Sequence, residues 1–116
     1  MKLEGEGDFE FEIVGESHYQ DALEVIAGRK EEEGKWLECE ATLRAEPDNP
    51  YDKNAVAVFI RQKKVGYLSR ADALAWKIAL ERRGYVGQDV TCDAVIVGGW
   101  KNKSGDEGHY GVKLDL

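Results

Sequence analysis

The sequence predicts a mainly β domain with two short helices (an α+β fold), arranged as a small, partly closed β-barrel of six strands. The chain has 116 residues, which suits one domain over residues 1–116 built around a single core. Its apolar residues alternate with polar ones in several short stretches, which is the period of half-buried strands. These stretches do not alternate with long helices, so the sequence argues against a parallel α/β sheet.

The first strand and the first helix are predicted within residues 9–28. Apolar residues alternate with glutamates over residues 9–13, which indicates a strand. The helix is predicted to begin at Ser17, because Gln20 follows three residues later as in a capping box, and to end at Gly28. An apolar stripe at helical spacing supports this helix and consists of Tyr19, Ala22, Leu23 and Ile26.

Three further strands are predicted in the middle of the chain. Residues 37–43 alternate in polarity and are followed by the proline-containing segment 46–50, which breaks the strand. Residues 55–60 are apolar on both faces, as expected of a central strand. Residues 64–68 follow after the turn at 61–63, so these two strands are predicted to form a hairpin.

A second helix and the last two strands are predicted in the remainder of the chain. Ser69 is the expected N-cap, with Asp72 three residues later, and the basic segment 82–84 ends the helix. Residues 90–96 and 110–116 alternate in polarity and predict two strands. The stripe of this helix that we expect to face the core consists of Ala71, Leu74, Ala75 and Ile78.

The predicted core combines residues from the strands and the second helix. Cys39 and Cys92 fall on the apolar phase of their strands, so we expect buried, reduced, metal-free thiols rather than a disulfide or a zinc site. The other expected core residues are Phe11, Ile13, Leu43, Val56, Val58, Leu74, Ile78, Ile96 and Leu114.

The charge of the chain is unevenly distributed. The formal net charge is −7, with fifteen acidic and five basic residues in 1–50 but eight acidic and eleven basic residues in 51–116. An acidic protein of this kind is not expected to bind duplex DNA non-specifically, since such binding depends on many phosphate contacts. A small positive groove formed by the second half is still compatible with these numbers, because local fields steer ligands.

The sequence contains no catalytic, cofactor or metal motif that we can identify. It lacks a glycine-rich phosphate loop, a Cys-x-x-Cys pair and a Gly-x-Ser-x-Gly elbow, and its two histidines, His18 and His109, are isolated. We therefore expect a protein that is not an enzyme and needs no cofactor or metal. The chain also shows no signal pattern and no long apolar run, so we expect a cytoplasmic protein that is not in a membrane.

The most specific motif is the block NPYDKNAV at residues 49–56, followed about nine residues later by VGYL at 65–68. Together with VGESHY at residues 14–19, this pattern resembles the HIRAN domain, which occurs in some eukaryotic helicase-like ATPases and in free-standing small proteins. The resemblance covers most of the chain. It implies a modified OB-like or SH3-like barrel that captures a single-stranded DNA end through its free 3′-hydroxyl, independently of sequence.

Several residues of these motifs have chemistry that suits such a role. An ionised Asp52 accepts hydrogen bonds only, so it would accept from a 3′-hydroxyl and repel a phosphate at the same place. The rings of Tyr19, Tyr51 and Tyr67 offer faces for base stacking. Arg70 lies at the predicted start of the second helix, where both its charge and the free backbone amides suit a phosphate.

The resemblance implies the same roles and adds a loop amide at Asn49. It also reveals one difference, since family members that bind DNA ends carry histidine where this chain has Tyr67. Each residue keeps a structural alternative: Asp52 as a turn cap, Tyr19 as core packing and Arg70 as an ordinary surface residue. The predicted DNA-binding residues are Tyr19, Asn49, Tyr51, Asp52, Tyr67 and Arg70.

These observations leave two functional hypotheses. The first is a monomeric, non-enzymatic module that binds single-stranded DNA at free 3′-hydroxyl ends and acts in DNA repair or replication, alone or beside the proteins of those processes. The second is a protein–protein interaction barrel that has lost DNA binding, which the net charge of −7 and the difference at Tyr67 both favour. The two differ in their expected response to salt, because phosphate contacts weaken as salt rises.

Overall fold

The computed structural model describes residues 1–116 and confirms the mainly β prediction. One sheet of seven strands curls into a partly closed barrel, and two short helices lie beside it. Neither helix is long and apolar enough to cross a membrane. The strands are β1 (Lys2–Leu3), β2 (Phe11–Glu12), β3 (Lys35–Ala45), β4 (Val56–Ile60), β5 (Lys63–Tyr67), β6 (Val90–Gly98) and β7 (Tyr110–Asp115). The helices are α1 (Gln20–Ala27) and α2 (Arg70–Glu81), and a 3₁₀ turn covers Glu16–His18.

The strand order along the sheet is β2-β7-β6-β3-β4-β5. All these neighbours are antiparallel, and the long strands β3 and β6 pair over nine positions at the centre. The extra strand β1 pairs in parallel with Thr91 and Cys92 of β6, just beyond the stretch of β6 that pairs with β7. The one strand that the sequence did not predict, β1, therefore extends the sheet on the same side of β6 as β7.

The two edges of the sheet meet at a single pair of residues. Val14, just after β2, exchanges both backbone hydrogen bonds with Tyr67 at the end of β5, at 2.8 and 2.9 Å. Gly66 makes this approach possible, because a Cβ there would lie 2.7 Å from the Val14 carbonyl oxygen. The Val14–Tyr67 pair thus closes the barrel and brings the segment before α1 against the end of β5.

The core lies inside the curled sheet and largely matches the predicted one. Seventeen buried residues form a single cluster, and Phe11 packs against it while remaining partly exposed. The inward phase of β6 agrees with the prediction, since its alternate residues from Val90 to Ile96 are buried. The predicted core residues that are buried are Ile13, Leu43, Val56, Val58, Ile96 and Leu114.

Helix α2 begins where the sequence predicts but turns a different face inward. The Ser69 hydroxyl accepts a hydrogen bond from the Asp72 amide at 3.2 Å, as expected of an N-cap. The predicted core residues Leu74 and Ile78 are instead 45% and 40% exposed. The helix is apolar on both sides, and the buried side is the one that carries the large Trp76. The residues of α2 that face the core are Ala73, Trp76 and Leu80.

Helix α1 begins later than predicted, and the capping box at Ser17 is wrong. A 3₁₀ turn that follows the left-handed Gly15 (φ 81°) includes Ser17, so α1 starts only at Gln20. The Gln20 amide bonds the backbone of β7 instead. It donates to the Tyr110 carbonyl at 2.9 Å and accepts from the Tyr110 amide at 2.8 Å. Gln20 therefore fastens α1 to the sheet rather than capping its own helix.

The first predicted strand, residues 9–13, is reduced to the two residues of β2. Phe9 has a left-handed backbone (φ 50°), which interrupts the extended chain, and its ring packs edge-on against Trp36 at 6.0 Å between centroids. The preceding turn is held by the buried Asp115 carboxylate, which accepts from the Gly7 amide at 2.9 Å. Local periodicity could not predict this contact between Gly7 and β7.

The two cysteines face the barrel interior to different extents and are not bonded to each other. Cys92 is fully buried and Cys39 is half-buried. Burial, with Asp93 nearby, raises the pKa of Cys92 to about 12, and burial also raises the pKa of Cys39. No three His, Cys, Asp or Glu side chains are grouped as a metal site would need. The reduced and metal-free state of the thiols stays a prediction.

Gly66→Ala should destabilise the fold, because the added methyl group would meet the Val14 carbonyl and, at 2.8 Å, the Ile13 side chain. We expect a loss of about 1–3 kcal/mol in the free energy of unfolding, as for other overpacked positions. Urea denaturation of wild type and variant measures it. Gly111→Ala is the matched control, since a Cβ there meets its nearest neighbours at 3.6 and 3.7 Å. Equal stability losses in both variants would contradict the role of Gly66 in barrel closure.

Cys92 should not react with a thiol reagent until the protein unfolds, because both burial and its high pKa suppress the thiolate. Titration with Ellman's reagent at pH 8, with and without denaturant, measures this, and the half-buried Cys39 should react slowly in the folded protein. Elemental analysis of the purified protein should find no stoichiometric zinc. Rapid reaction of both thiols in the folded state would contradict the expectation.

Candidate nucleic-acid interface

A groove of about 850 Å³ lies between the loop at 46–55, the end of β5 and the start of α2. The loop forms one wall, and residues around the Val14–Tyr67 pair form the other. All the residues that the sequence predicts to bind DNA lie at this groove. The predicted residues that line the groove are Tyr19, Asn49, Tyr51, Asp52, Tyr67 and Arg70.

Asn49 organises the loop from within. Its side-chain oxygen accepts hydrogen bonds from the amides of Tyr51 and Asp52, at 2.9 and 3.1 Å, and its side-chain nitrogen donates to Glu46 at 3.1 Å. These bonds use the side-chain oxygen and one of the two side-chain N–H groups of Asn49, so the other N–H is free for a ligand. The structure therefore gives Asn49 a positioning role for its neighbours, which the sequence analysis did not predict.

Asp52 divides its two carboxylate oxygens between the loop and the groove. One oxygen accepts from the amide of Asn54 at 2.9 Å, which is the side-chain turn expected of the structural alternative. The other oxygen has no hydrogen-bond partner in the protein, and the half-buried side chain lines the groove. Turn formation and ligand binding are thus compatible at this residue, because each uses a different oxygen.

Tyr51 exposes its ring on a backbone that is held from both sides. Its side chain is 84% exposed, although its amide is bonded to Asn49 and its carbonyl accepts from Arg70 at 3.1 Å. Lys77 of α2 also donates to the side chain of Asn54 at 3.3 Å and ties the same loop to the helix. An exposed aromatic ring on a fixed loop can stack with a planar ligand at little cost in conformational entropy.

Tyr19 and Tyr67 meet on the opposite wall. Their ring centroids are 6.5 Å apart, with the planes inclined at 53°. Tyr19 is half-buried at the N-terminal end of α1, so its ring is shared between packing and the groove rather than lost in the core. The two rings provide an aromatic surface that faces the loop across the groove.

The hydroxyl of Tyr67 belongs to a three-residue polar cluster that sequence analysis missed. It donates to Glu46 at 2.8 Å and accepts from the ammonium group of Lys64 at 2.9 Å. Lys64 also forms an ion pair with Glu46, and both side chains are mostly buried where the loop meets the opposite wall of the groove. We call these three residues, Glu46, Lys64 and Tyr67, the polar cluster.

A β-bulge explains why strand alternation could not predict the polar cluster. Residues three apart on a regular strand point to opposite faces, which would separate Lys64 from Tyr67. Opposite β4, however, the pairing shifts so that Val65 is an extra residue between Lys64 and Gly66. The shift restores Lys64 to the side of Tyr67. The one available signal was chemical, because a partly buried tyrosine hydroxyl needs a partner.

The polar cluster keeps its charges at neutral pH. Burial alone would raise the pKa of Glu46, but hydrogen bonds from Lys64, Asn49 and Tyr67 outweigh burial and hold the pKa below its usual value. Burial alone would lower the pKa of Lys64, and its bonds to Glu46 and Tyr67 reverse the effect, so its pKa lies above its usual value. Both groups are therefore ionised over the range in which the protein would meet a ligand.

The groove is of mixed charge rather than positive. Its acidic side chains are Glu46, Asp48 and Asp52, and its basic side chains are Lys64 and Arg70. Arg70 is exposed at the start of α2, where the first amides have no preceding helical acceptor. Basic charge is present at two points, but three acidic side chains line the same groove, so it is not the small positive groove that the charge of the second half allowed.

The fold and groove agree with what the chain matches among known families. Residues 6–92, three quarters of the chain, match the HIRAN domain. The chain belongs to the HIRAN-domain family, whose members are in general modules that bind single-stranded DNA and its 3′ ends. No curated protein and no solved structure gives a significant match. The matched range includes every residue that lines the groove.

Asn49→Ala should loosen the loop, because the amides of Tyr51 and Asp52 would lose their acceptor. We expect faster hydrogen exchange at these two amides and a loss of about 1–3 kcal/mol in stability, because two hydrogen bonds worth about 0.5–1.5 kcal/mol each are lost. NMR hydrogen exchange and urea denaturation measure the two effects. Asp48→Ala is the control, since Asp48 is exposed and makes no side-chain hydrogen bond. Unchanged exchange at both amides in the Asn49 variant would show that the loop does not depend on it.

Proposed function

We propose that this protein is a non-enzymatic module that binds single-stranded DNA at a free 3′-hydroxyl end and serves DNA repair or replication. Membership of the HIRAN-domain family supports the class of ligand. The observation that carries the proposal is the unpartnered oxygen of Asp52 inside a groove with tyrosines on both walls. An acceptor beside aromatic surfaces matches the chemistry of a nucleotide that ends in a hydroxyl group.

Asp52 supplies the distinction between an end and the interior of a strand. A terminal 3′-hydroxyl has a hydrogen to donate, whereas the same oxygen within a strand is esterified and has none. The free carboxylate oxygen accepts that hydrogen, and its charge repels a phosphate in the same position. Because the other oxygen is fixed by the amide of Asn54, the acceptor is already oriented before the ligand arrives.

The tyrosines bind the bases without regard to sequence. Tyr51 offers an exposed ring on the loop, and Tyr19 and Tyr67 offer ring faces on the other wall. Stacking on such rings is worth about 1–3 kcal/mol per base and tolerates any base. Arg70 donates to the Tyr51 carbonyl through one nitrogen and keeps its other donors for a backbone phosphate.

A protein-interaction role is the second candidate. The apolar stripe of α2 that includes Leu74 and Ile78 is exposed, and Trp36 is 63% exposed on the outer face of β3. Apolar surface of this kind, on a protein with net charge −7, suits a protein partner. Binding through such a surface need not weaken as salt rises, whereas DNA binding must.

Asp52→Asn should weaken binding to an oligonucleotide with a free 3′-hydroxyl, because a neutral amide replaces the charged acceptor. We expect a loss of about 1.5–3 kcal/mol, which is roughly tenfold or more in affinity. An oligonucleotide with a 3′-phosphate should bind the wild type poorly and should bind the variant better than it binds the wild type. Fluorescence anisotropy at one fixed salt concentration measures both ligands.

Asp48→Asn serves as the matched control, since it removes an acidic charge from the same groove without touching the proposed acceptor. It should leave the preference for the 3′-hydroxyl end intact. Thermal melts of each protein separate binding from folding. If the wild type binds both oligonucleotides equally well, or the Asp52 variant loses stability but keeps its end preference, the end-capture mechanism is wrong for this protein.

A further inference from the structure

The ammonium group of Lys64 has a hydrogen-bonding capacity that the fold does not use up. It carries three hydrogens, of which one is donated to Glu46 and one to Tyr67. The third has no acceptor in the protein, although the side chain is only 28% exposed and lines the groove. The ammonium group also lies 5.1 Å from the ring centroid of Tyr67. A cation fixed in this way is oriented for an anionic ligand before binding.

Glu46 does not need Lys64 to remain satisfied. The carboxylate also accepts from the side-chain nitrogen of Asn49 and from the hydroxyl of Tyr67, at 3.1 and 2.8 Å. If Lys64 shares its charge with a ligand, these two donors continue to support Glu46. The ion pair can therefore hold the lysine in place while part of its positive charge remains available to a ligand in the groove.

The position of Lys64 complements that of Arg70. Arg70 is tied to the loop through the carbonyl of Tyr51, whereas Lys64 belongs to β5 on the other side of the groove. The other charged side chains of the groove are acidic, so these two residues are its only basic groups. When the bases of a DNA strand stack on the tyrosines, its phosphates must lie near cations rather than carboxylates. Of the two cations, Lys64 is partly buried and Arg70 is exposed.

We propose that Lys64 binds a backbone phosphate of the single strand, and that Glu46 and Tyr67 are positioning residues that hold its side chain. This inference rests on the proposed function and names a contact that the sequence motifs did not indicate. It also assigns the role of Tyr67, whose hydroxyl is engaged with Glu46 and Lys64 and whose ring face alone is left for the ligand.

The test compares Lys64→Gln with wild type in binding a 3′-hydroxyl oligothymidylate over a range of salt concentrations. The variant should bind about tenfold more weakly at low salt, the effect of losing a charged hydrogen bond. The slope of log affinity against log salt should become shallower by about 0.7, which corresponds to one phosphate contact on a single strand. Lys64→Arg keeps the charge and should keep the slope.

Lys63→Gln is the matched control, because Lys63 is the exposed neighbour whose side chain points to the opposite face of β5. It should change neither the slope nor the affinity appreciably. Glu46→Gln separates phosphate binding from a purely structural ion pair. If Lys64 binds phosphate, Glu46→Gln should tighten DNA binding, because the amide oxygen can still accept from Lys64 and Tyr67 while the opposing negative charge is gone. A purely structural ion pair predicts instead that Lys64→Gln and Glu46→Gln both weaken DNA binding.

The outcomes distinguish this inference from the function on which it rests. If wild type fails to bind, or binds without any preference for a free 3′-hydroxyl, the proposed function fails. If wild type shows that preference but Lys64→Gln keeps the wild-type slope and affinity, the phosphate contact is overturned and the function stands. Thermal melts detect any loss of stability in Lys64→Gln. If stability is lost, the salt slope of Lys64→Arg and the affinity of Glu46→Gln decide whether Lys64 binds a phosphate.

Discussion

The backbone pair between Val14 and Tyr67 is the constraint on which the rest of the molecule depends. Two hydrogen bonds join the chain after β2 to the last residue of β5, and so convert an open sheet into a barrel. The same bonds fix where the following 3₁₀ turn and Tyr19 lie, since only four residues separate Val14 from that ring. One wall of the groove is therefore a direct product of barrel closure, and it is packed against the core through Val65 and Leu68.

The opposite wall is built on a different principle, because the loop at 46–55 has little apolar material to bury. Polar side chains hold it instead: Asn49 binds two amides within the loop, and Arg70 and Lys77 reach it from α2. This explains how Tyr51 can be so exposed and still be fixed in place. The groove thus combines a wall positioned by the core with a wall positioned by hydrogen bonds, which confines a ligand between two prepared surfaces.

Local periodicity and motif chemistry predicted much of this arrangement. Alternation, one fully apolar run and a hairpin turn together located six of the seven strands, the Ser69 cap was correct, and the residues chosen from the motifs all line one groove. The misses arose where tertiary contacts decide between local alternatives. Helix α2 has two apolar sides and Trp76 determines which one is buried, while the bulge at Val65 gathers the polar cluster against the rule of alternation.

The segment beyond residue 92 has a consequence for where the functional unit ends. The family match stops inside β6, yet the remainder of β6 and all of β7 continue the same sheet, and β7 pairs with Phe11 and Glu12 of β2. Those two residues lead directly into Val14, so the final strand anchors the piece of chain that closes the barrel. A fragment cut at residue 92 would retain every side chain of the groove while losing the strand that sets one of its walls. The domain that keeps the groove intact therefore extends beyond the residues that match the family.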